Sequence, residues 1–285
     1  MSDYRIIERP GRDLLGEGLC WSARRGAVLW TDIIGQRLHS LTLADGSIVS
    51  WDMPDTLGWV VERARDDSFL AGLGDGIVSL WLDPVRIEVL CTPDTATANL
   101  RMNDALVDAQ GRLWAGTVLR SCDQPVGSLY RLDPDGSLAC LDRGYTVTNG
   151  PAISPDGQWL YHADSPLGRV YRFALDRDGA IRDRRVFLQF EDGWGSPDGM
   201  ACDADGGLWV AHWGGGCVSR FAPDGRRDAV FPLPTAQITN VVFAGPALDR
   251  LFVTSAAVGL DDPLAGALFE VSPGRIGLPA HRFGE

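Results

Sequence analysis

Apolar and polar positions alternate along this chain in short runs, each ended by Gly, Pro, Asp or Asn, and no long apolar stripe of helical period develops. The stretch RMNDALVDAQGRLWAGT, Arg101 to Thr117, shows the unit most clearly. Ala105, Leu106 and Val107 read as a short buried strand. Asp108 to Arg112 read as a tight turn, with Gly111 at the position that needs unusual backbone angles, and Leu113 to Gly116 as the returning strand. Arg101, Asn103 and Asp104 are placed just before that strand, where packing has no use for clustered polar side chains, so they are candidates for function.

The same hairpin recurs when the aromatic or leucine of its second strand is taken as an anchor: Trp30, Phe69, Trp114, Leu160, Trp209 and Leu251. The spacing is roughly 40 to 50 residues, the period of β-propeller blades. Most copies run on into a further strand and a turn, as in LHSLTLADG, SLYRLDPDG, VYRFALDRDG and VSRFAPDG. In these turns Asp caps the bend and Gly takes the left-handed position. Six anchors predict an all-β, six-bladed β-propeller of about four strands per blade, in a single domain over residues 1–285. Tyr4 to Glu8, YRIIE, is the expected closing strand, in which one terminus completes the blade begun by the other and hides the sheet edge. Pro and Gly are spread as turns rather than gathered into a linker, which gives a second domain no support.

The formal net charge of -12 opposes phosphate backbones and anionic lipid, and no Lys/Arg-rich run offsets it, which argues against a nucleic-acid partner. The Met-Ser-Asp-Tyr start has no basic segment leading into an apolar one, and no apolar run approaches the about 20 residues that span a bilayer. The expectation is a soluble cytoplasmic protein with no membrane partner. Cys20, Cys91, Cys122, Cys140, Cys202 and Cys217 form no CxxC pair and read as reduced thiols, Cys20 and Cys202 as small hydrophobes of the core. His39, His162, His212 and His281 form no HxH or HExxH pattern, which argues against a histidine-bound metal.

Counting back from the anchors locates the candidate chemistry. Asn103, Asn149, Asp198 and Asn240 each stand eleven residues before Trp114, Leu160, Trp209 and Leu251, and Glu17 occupies the comparable opening of the first copy, before the longer hairpin SARRGAVLW. Equivalent positions of successive blades surround the central axis, so these five residues are expected to converge at one level. Two carboxylates and several amide oxygens suit a hard divalent cation at a central metal site, calcium or magnesium, with manganese and zinc also open. The plainer reading is that Asn and Asp stabilise turns, their commonest use. Registered recurrence beside glycine, in TNGP at 148–151 and SPDGM at 196–200, favours a site, but spacing alone does not choose the metal.

LGEGLCW, RMNDALVDAQGRLWAGT, TNGPAISPDG and SPDGMACDADGGLWVA, in this order and over nearly the whole chain, resemble the SMP-30/gluconolactonase family of regucalcin-like sugar-acid lactonases. The resemblance implies a single divalent cation held by Glu17, Asn149 and Asp198, a sugar lactone contacted by Arg101 and Asn103, and Asp198 serving also as catalytic base. Two departures stand out. Met102 occupies a position where the family often has proline, and the loop from Val118 to Val126 lacks the glutamate that some members point at substrate hydroxyls, leaving Asp123 as its only carboxylate.

Among the remaining polar residues, His162 and Asp164 are expected to brace a hairpin, and Asp108, Asp156 and Asp203 to serve turns. Trp213, in HWGGG, suits a sugar-facing wall or the core equally. The function this supports is hydrolysis of an aldonolactone, a pentono- or hexonolactone, with the cation polarising the carbonyl. Two rivals are a phosphotriester or aryl ester hydrolase on the same fold, and a calcium-binding propeller without catalysis. The sugar, the physiological metal and the oligomeric state stay open at this stage.

Overall fold

The structure, a computed structural model, describes residues 4–285. Its strands fall into six four-stranded antiparallel sheets, each with its strands in sequence order except the last. That sheet is completed by Tyr4–Ile7, which pairs with Leu268–Val271 as the outermost strand. The expected closing strand therefore exists, and it joins the two ends of the chain through backbone hydrogen bonds. The innermost strands are Gly16–Ser22, Leu57–Glu62, Leu100–Val107, Thr148–Ile153, Ser196–Cys202 and Ile238–Ala244, and they define blades 1 to 6. The end where they begin is called upper here, and the end where they finish lower.

Six buried apolar clusters hold the ring, and each draws its residues from two adjacent blades. All six anchors lie on the second strand of their blade and are fully buried. Burial of each such side chain contributes about 1.5–3 kcal/mol. The turn aspartates also behave as read: Trp114 Nε1 donates to Asp108 Oδ2 at 2.8 Å and Trp209 Nε1 to Asp203 Oδ2 at 2.8 Å, while Asp156 accepts from Ser154 Oγ at 2.6 Å. His162 is buried within Trp159–Asp164, edge-on to Tyr145, and burial pushes its pKa down to about 3. Asp164 accepts from the amides of Thr146 and Val147 and braces its hairpin as expected, whereas His162 contributes packing and no hydrogen bond. All six cysteines are free thiols, and burial raises the Cys20 thiol to about 12.

The register corrects one part of the repeat argument. Every innermost strand carries a one-residue bulge, and counted from it the residues that stand where Trp114 stands are Val28, Leu70, Leu160, Trp209 and Phe252. Trp30, Phe69 and Leu251 are displaced from that position because the hairpins differ in length. Arg101, Asn103 and Asp104 are also corrected: they lie inside the strand Leu100–Val107 and not ahead of it, Asn103 and Asp104 at its bulge and Arg101 paired with Val118 just above it. The loop assigned to Val118–Val126 is shorter, since Val118 and Leu119 belong to Leu113–Leu119.

The C-terminal segment straps the lower end. Ala204 N donates to Ile276 O and Gly277 N to Leu248 O, each at 2.8 Å, in blades 5 and 6. Phe283 N then donates to Glu62 O at 2.8 Å and Gly284 N to Gly111 O at 3.0 Å, in blades 2 and 3. Among the described residues no helix is long and apolar enough to cross a membrane.

Candidate active site

The bulges are what turn polar side chains toward the axis. The candidate residues are spread over three successive positions at the bulges, the last paired residue above each one and the two that follow it. Glu17 and Asn149 take the first, Asn103 and Asp198 the second, Asp104 and Asn240 the third. The expected single level is therefore a stagger along the strands, although the residues still converge. Blade 2 offers Leu57, Gly58 and Trp59 there and contributes no polar group; a Cβ on Gly58 would lie 2.7 Å from the carbonyl oxygen of Met102, so close strand approach requires glycine.

Glu17, Arg101, Asn103, Asp104, Asn149, Asp198 and Asn240 are all buried. Asn103 Nδ2 donates to Asn149 Oδ1 at 2.8 Å and also to the carbonyl of Thr148. Its Oδ1 accepts from Arg101 Nη1. Across the ring, Asn240 Nδ2 donates to Glu17 Oε2 at 2.9 Å and lies 3.4 Å from Asp104 Oδ2, while Asn240 Oδ1 accepts from Val241 N at 2.8 Å. Because Val241 N can only donate, the amide of Asn240 must turn its nitrogen toward the carboxylates. Asn240 is therefore a donor to this site and not an oxygen ligand in it.

Three buried carboxylates crowd together, and the Arg101 guanidinium faces Glu17 among them. Burial, then repulsion by Glu17 and Asp104, holds the Asp198 carboxyl well above the usual carboxylate range. Burial, then Glu17, does the same to Asp104, and burial raises Glu17 against the opposing bonds from Asn240 and Gly18. Burial also pulls Arg101 down, opposed by Cys122 and Glu17 beside it. Asp198 Oδ1 is buried without a hydrogen-bond partner. A buried excess of negative charge with an orphaned carboxylate oxygen fits a bound cation, which would neutralise it and complete the coordination. Among the described residues no three His, Cys, Asp or Glu side chains sit at metal-ligand spacing, so carboxylates alone would not complete a coordination shell here.

Asp104 was singled out as a candidate from its position but not given a role, and the structure makes it part of the charge cluster. Its sequence signal was present, a carboxylate directly after Asn103. Met102 departs from proline with a structural consequence, because its amide donates to Gly74 O at 2.8 Å, a bond proline cannot make. The loop 120–126 caps the upper end, tied to the preceding blade by Arg120, whose Nη2 lies 3.1 Å from both oxygens of Asp55. It carries Cys122 toward Arg101, whereas Asp123 is exposed and accepts from Ser121 Oγ at 2.5 Å. Trp213 is half-buried at the upper end of its strand, its backbone bridged to Gln237.

A cavity of about 890 Å³ lies beneath this ring and reaches the strap at Leu278–His281. Of the ring side chains only Asp104 and Asn240 line it, so it is a chamber under the site and not the site itself.

The sequence profile of the SMP-30/Gluconolactonase/LRE-like region matches residues 15–257. The chain belongs to that family. The 6-deoxy-6-sulfogluconolactonase of Pseudomonas putida is 36% identical over 93% of this chain and 92% of its own length. The L-arabinolactonase of Azospirillum brasilense is 35% identical over 95% and 93%. Among solved structures, the calcium-binding protein regucalcin from Agrobacterium tumefaciens superposes with a TM-score of 0.93 at 30% identity, over 99% of this chain and 97% of that one. The regucalcin structure thus shares the fold of this chain.

Proposed function

We propose that the protein is a metal-dependent sugar lactonase that opens the ring ester of an aldonolactone, a pentono- or hexonolactone. The chain is an enzyme of the sugar-lactonase class, in keeping with the relatives named above. The observation that carries the finer reading is the cluster of three mutually repelling buried carboxylates, with Arg101 beside Glu17, set beside hydrogen-bonding amides at the upper end of the channel.

Glu17, Asn149 and Asp198 are the residues that would hold one divalent cation, and calcium, magnesium, manganese and zinc all accept such oxygen donors. When bound, the cation supplies Lewis-acid polarisation of the lactone carbonyl. Arg101 and Asn103 orient the ring by hydrogen bonds to its hydroxyls. The oxygen of a water molecule bonds to the acyl carbon, and Asp198 takes its proton. The ring carbon–oxygen bond then breaks, and the proton passes to the departing ring oxygen, leaving an open-chain aldonic acid. The raised affinity of Asp198 for a proton suits it to this exchange.

A phosphotriester or aryl ester hydrolase would want an apolar wall at the substrate, whereas Arg101, Asn103 and Asn149 present hydrogen-bonding groups that favour a hydroxylated one. The decisive experiment is acid release from a panel of aldonolactones, first after chelation and then after return of single metals. Turnover of a lactone that chelation abolishes and one metal restores is the expected result. Cation binding without turnover of any lactone would instead identify a calcium-binding propeller.

A further inference from the structure

Asn149 can serve as an oxygen donor only if its amide is turned the right way, and the structure contains a device that sets this. Ser165 opens the short 3-10 turn Ser165–Leu167 above blade 4 and is buried. Its Oγ lies 2.6 Å from the carbonyl oxygen of Pro197 in blade 5 and 2.8 Å from Asn149 Nδ2. A hydroxyl carries one proton, and a carbonyl oxygen can only accept, so that proton goes to Pro197. Ser165 is then left as an acceptor toward Asn149, which must present its NH₂ group to the serine and its Oδ1 to the axis. Asn103 Nδ2 donates to that same Oδ1 at 2.8 Å, which requires the same orientation from the other side. The carbonyl that Ser165 grips belongs to the peptide joining Pro197 to Asp198. One side chain thus fixes the amide of one candidate ligand and the backbone of the other.

We infer that Ser165 is a positioning residue for the cation site, locking Asn149 with its oxygen inward and tying it to the backbone of Asp198. This rests on the proposed function, since it presumes that Asn149 and Asp198 share a cation. Nothing in the sequence marks the role, because SPLG at 165–168 reads as an ordinary turn. Losing a hydrogen bond that orients a ligand typically costs about 10–100-fold in metal affinity.

The test is calcium and manganese titration of chelator-stripped protein by calorimetry, for wild type and for Ser165→Ala, Ser165→Thr and Ser165→Cys, with a melt of each stripped variant. Ser165→Ala is expected to weaken cation binding by about 10–100-fold, and Ser165→Thr, which keeps the hydroxyl, to stay within about threefold of wild type. Ser165→Cys keeps a similar shape with a weak donor and acceptor, and provides the reading if the alanine variant does not fold. Its affinity is expected to fall between the two. A lowered melting temperature with wild-type affinity in the alanine or cysteine variant overturns the inference, since a merely structural serine would behave that way. Wild-type protein that binds neither metal overturns the cation reading beneath it, an outcome distinguishable because it appears before any substitution is made.

Discussion

Replacing Asp198 with asparagine removes a charge while keeping the shape, and its effect on stability should reverse with the cation. In chelated protein the Asp198 carboxyl is held well above its ordinary value of 3.8, first by burial and then by Glu17 and Asp104. A carboxyl whose folded value exceeds its unfolded one contributes its stability in the protonated form. That contribution is complete below the unfolded value and is lost as pH rises through the folded one. Asn does not titrate, so the gap between Asp198→Asn and wild type should open upward from about pH 4 in favour of the variant. Each unit by which folding raises the carboxyl is worth about 1.4 kcal/mol. At roughly 2–4 °C per kcal/mol for a chain of this size, even one unit moves Tm by about 3–6 °C. Adding calcium should invert the order. A ligand at a hundred times its Kd stabilises by about 2.7 kcal/mol, a gain reserved for the protein that binds it. The assay is a series of melts from pH 4 to 8.5, in chelator and then in calcium. Wild type and variant melting in parallel across that range in chelator would refute the picture of crowded buried carboxylates.

Glu17→Gln and Asn149→Ala should each weaken cation binding, with activity partly recovered by excess metal; unchanged affinity in both, by titration, would remove them from the coordination shell. Arg101→Ala and Asn103→Ala should leave metal content intact and lower kcat/KM by about ten- to a thousandfold, as measured by acid release and metal analysis. Metal loss in the Arg101 variant would show that its charge matters to the cluster more than to substrate. Asn240→Ala removes a charge-assisted bond to Glu17 worth about 1.5–3 kcal/mol, so it should lower both Tm and cation affinity. A lower Tm with wild-type affinity would reduce Asn240 to a structural role.

The blade count was legible because burial enforces it: each second strand must place a large apolar residue between sheets, and that need shows as a repeat even when the chosen residue is one or two positions off. Trp30 is an example. It lies on the predicted strand and is fully buried, yet Val28 holds the equivalent register. Register is lost to sequence reading because turn lengths differ, and an inserted turn residue leaves no hydrophobic trace. The convergence of Glu17, Asn103, Asn149 and Asp198 survived this error, since three successive positions at each bulge face the same narrow space. The part of the site that was not legible depends on directions. Which end of the Asn149 amide faces the axis is decided by Ser165 and Asn103, and which end of the Asn240 amide does so by Val241 N. The lower strap escaped notice because residues 276–285 carry no period; their hydrogen bonds go to turns of four different blades.

A ring of six similar blades builds an unsymmetrical site by varying what each bulge presents. Blade 2 gives glycine, blade 6 a hydrogen-bond donor, and blades 1, 4 and 5 the oxygen donors Glu17, Asn149 and Asp198. Blade 3 gives Arg101, Asn103 and Asp104, both the only cation of the cluster and one of its anions. The donors proposed for substrate therefore come from a blade that supplies no proposed metal ligand, so the two tasks are divided by blade. This division explains why Arg101 can be buried at all. Its charge is offset by Glu17 of blade 1, while its neighbours Met102 and Asn103 accept its hydrogen bonds from the same strand. Removing Glu17 thus disturbs the guanidinium, and removing the guanidinium disturbs Glu17 and, through it, Asp104 and Asp198. Substitutions within the ring should accordingly fail to add. A double variant of Arg101→Ala with Asp198→Asn should be less destabilised than the sum of its single effects, because the second change removes part of the repulsion that the first leaves uncompensated.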